Sequence, residues 1–142
     1  MQTQLSAQER NWAMAAHLSA LVGLAGLPFG HILGPLVVYL AKGHESEFIG
    51  EHSRASLNYQ ITVSVVLIVA SIVAIAITFG FLVPMSQSTN YTAPFSFAAL
   101  WVAFGLGGLI IVLATLVFII LGTVAASEGR PYTYPFAIRF LR

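Results

Sequence analysis

The sequence predicts an all-α membrane protein, a four-segment helical bundle with a short N-terminal helical hairpin and two long helices. Three observations carry this. Of 142 residues, 58% are hydrophobic and only 8% charged, with a mean hydropathy of +0.87. A soluble domain carries roughly 25% charged residues, so a chain this poor in charge needs lipid to solvate much of its surface. The charge is also clustered: Lys42, Glu45, Glu47, Glu51 and Arg54 fall in one stretch, between long apolar runs. Finally, proline and glycine punctuate those runs where helices would end.

The first segment is expected over residues 12–27, from Trp12 to Leu27, with His17 and Ser19 as its polar interruptions. It reads as a retained membrane helix, because no small-x-small cleavage site separates it from the next apolar run. Its rise of about 24 Å is slightly short of a ~30 Å hydrocarbon core. Pro28-Phe29-Gly30 breaks it, and a second, shorter segment follows over residues 31–41, interrupted by Pro35. Residues 42–55 read as a charged loop, 56–83 as the third segment, 95–126 as the fourth, and 128–142 as a tail. The whole of 1–142 reads as one integral membrane domain. Gly105, Gly107 and Gly108 mark the place for a bend in the last segment.

Residues 12–41 could be one kinked span or a hairpin. The hairpin puts Arg10, the 42–55 loop and the arginine-bearing tail on one side. The turn at 28–30 and the charge-free stretch 85–94 then lie on the other. That arrangement satisfies the positive-inside rule. It predicts a multi-pass protein of the bacterial cytoplasmic (inner) membrane with both termini cytoplasmic.

Composition excludes several classes. Net charge of about +1 provides no basic field for nucleic acid. The absence of cysteine excludes disulfides, thiolate metal sites and a cysteine nucleophile. All five acidic residues lie outside the expected spans, which argues against a cation-coupled carrier. No nucleophile–base–orienter set and no phosphate loop is visible, so no enzyme, cofactor or metal is implied. A haem would need two histidines on facing helices at matched depth. His17 and His52 are expected to differ in depth by more than a turn.

What remains are polar groups at helical spacing. His17, Asn58 and Gln60 form a candidate intramembrane polar site, since buried amides and imidazoles need partners. His17 is expected to bond a carbonyl, Asn58 or Gln60, and the two amides to touch the first or second segment. The plainer reading is helix packing, helped by the small-residue row Ala13, Ala16, Ala20 and Gly23 and by Thr115, Gly122 and Ala126. Glu51, His52, Arg54, Tyr132 and Tyr134 form a candidate cytoplasmic docking surface. Arg54 is expected to pair with Glu51 or with lipid phosphate. The tail's alternating arginines and aromatics suit the headgroup layer or a partner.

Three stretches carry a resemblance: Glu9 to Leu21, Gly34 to Lys42 continuing through Glu51 to Gln60, and Gly129 to Pro135. Together they resemble the small bacterial membrane proteins of domain-of-unknown-function family 4870. That family is itself described as similar to the Tic-twenty-like subunit of the chloroplast protein translocon. The matching positions are Trp12, His17, Gly34, Pro35, Glu51, His52, Asn58, Gln60, Tyr132, Tyr134 and Pro135. The resemblance implies a four-helix membrane protein linked to protein insertion or translocation. The function expected is therefore a non-enzymatic accessory or scaffold protein that binds a membrane protein partner or forms a homo-oligomer within the lipid bilayer. The alternative is a small pore or carrier for a lipid, ion or small solute, with His17, Asn58 and Gln60 lining a polar cavity.

Overall fold

Ser6 starts the first helix. Its hydroxyl accepts from the Glu9 backbone N–H at 3.1 Å, and the Glu9 carboxylate accepts from the Ser6 N–H at 2.8 Å, a reciprocal capping box. The structure, a computed structural model, describes residues 5–86 and 95–142. Among these are four α-helices and no strand: α1 (Ala7–Leu18), α2 (Gly30–Lys42), α3 (Glu47–Ser86) and α4 (Phe95–Ser127).

After Leu18 the chain tightens into a 3₁₀ segment, Ser19–Ala25, and reverses through two left-handed residues, Gly26 and Phe29. The reversal makes residues 12–41 a hairpin, not a single span. What brings its arms together is the absence of side chains. A Cβ on Gly34 would stand 2.2 Å from the Ser19 carbonyl oxygen, so only glycine allows α2 this close to the 3₁₀ segment. Ala13, Ala16 and Ala20 are buried as their spacing predicts. Ala16, Val38 and Ile49 join α1, α2 and α3 in one core, with Trp12 packed against it.

The segment 42–55 is not mainly loop. α3 begins at Glu47, so Glu51, His52 and Arg54 are helical. The charge density that suggests a loop instead suits a helix start, where Glu47 faces the positive end of the dipole. Ser46 lies just ahead of it and donates its hydroxyl to Glu9 at 2.7 Å, tying this start to α1.

The described chain forms two compact units. The first holds residues up to Thr62 together with Thr115–Arg142 and contains every candidate site residue. The second, Val63–Ala114, comprises the middle of α3 and the first part of α4. There the hydroxyls of Ser71 and Thr78 donate to carbonyls one turn back, at 2.7 and 2.8 Å, which removes them from the apolar surface. Phe81 meets Phe97 edge-on, and Trp101 meets Phe104. α4 is unbroken through Gly105, Gly107 and Gly108, with open space where their side chains would be. Of the charge-free stretch 85–94, residues 87–94 lie outside the described residues.

Glu47–Pro84 and Phe97–Ser127 are each long and apolar enough to cross a membrane. Only 6% and 22% of their most apolar windows are buried within the chain. α2, of 13 residues, rises only about 20 Å.

Candidate functional site

The site begins with a tail that has no regular structure of its own. A segment without helix or strand must place its backbone polar groups elsewhere. Here α3 receives them. The Asn58 carboxamide oxygen accepts from the N–H groups of Phe140 and Leu141 at 3.0 and 2.8 Å, and its NH₂ donates to the Leu141 carbonyl at 3.0 Å. One turn on, the Thr62 hydroxyl accepts from the Ile138 N–H at 2.9 Å and donates to the Asn58 carbonyl at 2.7 Å. Asn58 therefore does not reach α1 or α2, as the sequence suggests, but holds the tail. An amide can give and take at once, so it serves a strand-like segment as a neighbouring strand would.

Tyr134 anchors the middle of the tail. Its ring stacks on Tyr59, with centroids 4.5 Å apart and planes inclined by 18°. Tyr59 itself is fixed by a 3.0 Å hydrogen bond to Thr115 on α4. Burial pushes the Tyr134 phenol above the ordinary tyrosine range, and Tyr132 is raised in the same direction for the same reason.

The phenol points at His17. Tyr134 Oη lies 2.8 Å from His17 Nδ1, His17 Nε2 lies 2.8 Å from His52 Nδ1, and His52 Nε2 lies 3.1 Å from the Arg130 carbonyl. The carbonyl can only accept, and this fixes the rest for neutral rings. His52 donates from Nε2 and so accepts at Nδ1. His17 donates from Nε2 and accepts at Nδ1. Tyr134 donates its hydroxyl. The chain of donors runs from the tail through α1 and α3 and back to the tail. His17 is wholly buried and His52 is 1% exposed, so the Tyr134–His17 and His17–His52 bonds are made without competition from water.

This corrects the expectation that the two histidines differ in depth. Because α3 starts at Glu47, His52 sits on its second turn facing α1 rather than in a loop. Gly122 makes room for the meeting: a Cβ there would lie 2.9 Å from His17 Nδ1. The ring nitrogens face each other at 2.8 Å, closer than the ~3.3 Å or more between two nitrogens sharing a metal with bonds of ~2.0–2.1 Å. Gln60 is buried on α3. The two ring nitrogens of His17, its neighbour in the expected polar site, are taken by Tyr134 and His52.

Of the expected docking surface, His52 and Tyr134 are interior, while Glu51 is exposed and Arg54 and Tyr132 are half-buried. Among the described residues the ion pairs are Lys42–Glu45, at 2.8 Å, and Arg130–Glu128. The expected Arg54–Glu51 pair is not among them. Lys42 also lies over the Trp12 ring, 5.7 Å from its centroid. Sequence reasoning missed Tyr59 and the Arg130 carbonyl, and read Thr62 and Thr115 only as helix-packing residues. A buried tyrosine needs a partner for its hydroxyl, and Tyr59 and Thr115 sit at matching positions on apolar helices, so that pair carried a signal.

No curated protein and no solved structure matches the chain. A model of the magnetosome magnetite crystal formation protein family (MamF/MmsF) matches residues 8–141. It overturns the resemblance to domain-of-unknown-function family 4870 and to the Tic-twenty-like subunit. The link to protein insertion or translocation rested on that resemblance and falls with it. The stretches that carry the resemblance are short motifs in α1, α2, the start of α3 and the tail, whereas the match runs from residue 8 to residue 141. Over almost its whole length, then, the chain belongs to the magnetosome magnetite crystal formation protein family.

Proposed function

We propose that this chain is a non-enzymatic, multi-pass membrane protein that serves magnetite crystal formation as an accessory or scaffold of the enclosing membrane. The observation that carries this reading is the family match across residues 8–141. The geometry supports it. The long helices turn apolar side chains outward, as a lipid-embedded protein requires. Tyr134, His17, His52 and the Arg130 carbonyl are joined in one chain of hydrogen bonds, which fixes the tail against α1 and α3. The same bonds weigh against the pore reading, since they occupy both ring nitrogens of His17 and the Asn58 amide.

In this reading Arg10, the α2–α3 connection and the tail share the cytoplasmic side, the arrangement that charge asymmetry favours. The chain lacks cysteine, so single cysteines can report topology directly. Ser6→Cys and Ser127→Cys should react with an impermeant maleimide only after the cytoplasmic face is opened.

The functional test is mineralisation. Magnetite would be precipitated from mixed ferrous and ferric iron inside vesicles with and without the reconstituted chain. Crystals of altered size or shape distribution are expected with the protein present. Identical distributions by electron microscopy would remove the scaffold reading.

A further inference from the structure

Half of the chain's six basic residues converge on one cleft. It has a volume of about 310 Å³ and lies between α3 and the folded tail. Arg54 contributes from the helix, Arg139 and Arg142 from the tail, and Tyr132 and Asn58 add polar groups. Glu51 is the one acidic side chain on its wall. Even counting an α-carboxylate at Arg142, the balance is positive. The ion pairs among the described residues are made by Lys42, Glu45, Glu128 and Arg130, so among those residues these three guanidinium groups form no ion pair.

From this geometry we propose that the cleft binds the phosphate-bearing headgroup of an anionic phospholipid. Guanidinium forks match phosphate oxygens in pairs and are less strongly hydrated than ammonium groups. The volume corresponds to roughly ten waters, enough for a phosphate with its attached alcohol and more than a lone phosphate needs. The same tail bears Phe136, 92% exposed, with Ile138 and Phe140 also exposed. Phe136 also holds a left-handed backbone conformation, φ 63°. Exposed apolar side chains beside a cationic cleft suit a ligand that is anionic at one end and oily at the other. Free phosphate would leave them in water. The proposal rests on the membrane placement above but not on a role in mineral formation.

The test uses the full chain, delipidated in an uncharged maltoside detergent and examined by native mass spectrometry. The probes are dioctanoyl phosphatidylglycerol, dioctanoyl phosphatidylcholine and inorganic phosphate. One phosphatidylglycerol should be retained per chain, at least tenfold more tightly than either other probe. Equal retention of phosphatidylcholine, or no retention of phosphatidylglycerol, overturns the proposal. Inorganic phosphate binding as tightly as the lipid overturns it too and reassigns the cleft to a free anion. Arg54→Gln, Arg139→Gln and Arg142→Gln should each weaken retention about fivefold. Lys42→Gln, outside the cleft, should leave it unchanged. Glu51→Gln should tighten it several-fold, a gain that misfolding cannot imitate; weakening there counts against the proposal. A chain extracted from membranes by alkaline carbonate would instead remove the membrane reading, whatever the cleft binds in detergent.

Discussion

His17 and His52, 35 residues apart in the chain, hydrogen-bond each other through Nε2 and Nδ1 at 2.8 Å in a site closed to water. The Arg130 carbonyl at the far side of His52 determines which nitrogen of each ring carries hydrogen. Both imidazoles should therefore be Nε2–H tautomers. Nitrogen-15 spectra of the histidines at neutral pH would show this directly. A Nδ1–H tautomer at either ring would contradict the donor order.

Removing one member leaves its neighbours without partners. His52→Ala strands the His17 Nε2–H and the Arg130 carbonyl. We expect a loss of about 2–4 kcal/mol, from the unpaired groups and the cavity together. His17→Ala should cost a similar amount. Because the two share a bond, the double variant should cost less than the sum, with a coupling of about 1–3 kcal/mol. Thermal unfolding in detergent measures each corner of the cycle, and additive losses would mean that the pair does not act as a unit.

Gly122→Ala and Gly107→Ala make opposite predictions from the same substitution. At Gly122 the new Cβ would press on the His17 ring at 2.9 Å, and a shift of the ring breaks its bonds. A loss of about 1–3 kcal/mol is expected. At Gly107 the Cβ meets open space, so removing a helix-interior glycine should be neutral or stabilise by up to ~1 kcal/mol. Melting of the two variants side by side decides it.

Asn58→Leu keeps the volume on α3 and removes every bond to the tail's last residues. The N–H groups of Phe140 and Leu141 then lose their acceptor. Trypsin should cleave at Arg139 on the order of tenfold faster, reflecting at least ~1.4 kcal/mol of local opening. An unchanged cleavage rate would show that Tyr134 and Thr62 hold the tail without Asn58.

How far these contacts could be read from the sequence depends on their range. Ala13, Ala16 and Ala20, and Ser56 with Gln60, recur at helical spacing, and the structure buries them together. Their period follows from one helix's geometry, so local sequence suffices. The bonds from Asn58 to Leu141 and from Tyr134 to His17 join residues 83 and 117 apart. No periodicity links a tail to a helix, and its aromatic and basic composition is equally suited to lipid. The start of α3 was obscured for a different reason. Glu47, Glu51 and Arg54 read as solvent-exposed loop because charge is otherwise absent from the chain, although early acids are also what a helix start favours. That displacement carried His52 away from His17 in the sequence reading.

Glu9 gives the first unit an acid-sensitive contact. The Ser46 hydroxyl, then the Ser6 backbone and hydroxyl, donate to its carboxylate and hold it below the ordinary carboxylate range. A lowered folded-state pKa means that the contribution is present above the unfolded value near 4.5 and is lost as pH falls through the folded one. Ser46→Ala should raise the Glu9 pKa toward its ordinary value. Carboxyl-carbon NMR titration would follow the shift, and an unchanged pKa would mean that the Ser46 bond is not formed.

Tyr134 sets the alkaline limit. Its phenol is buried and raised above the ordinary value of 10.0, so the folded state retains the proton that the unfolded state would lose. The stabilisation is complete below pH ~10 and declines as pH rises above it. Ionisation would place a charge among Tyr59, His17 and Tyr132 without a cation in contact, so release of the tail should accompany it. Tyrosinate absorbance should then show a late final step that coincides with loss of tail protection. Tyr134→Phe retains the stack on Tyr59 but leaves His17 Nδ1 without its donor. About 1–3 kcal/mol should be lost at neutral pH, and the late titration should vanish. Tyr132→Phe, at a half-buried ring outside the donor chain, should leave that late step in place. If it is Tyr132→Phe that abolishes the step, Tyr134 is not the group that limits stability in base.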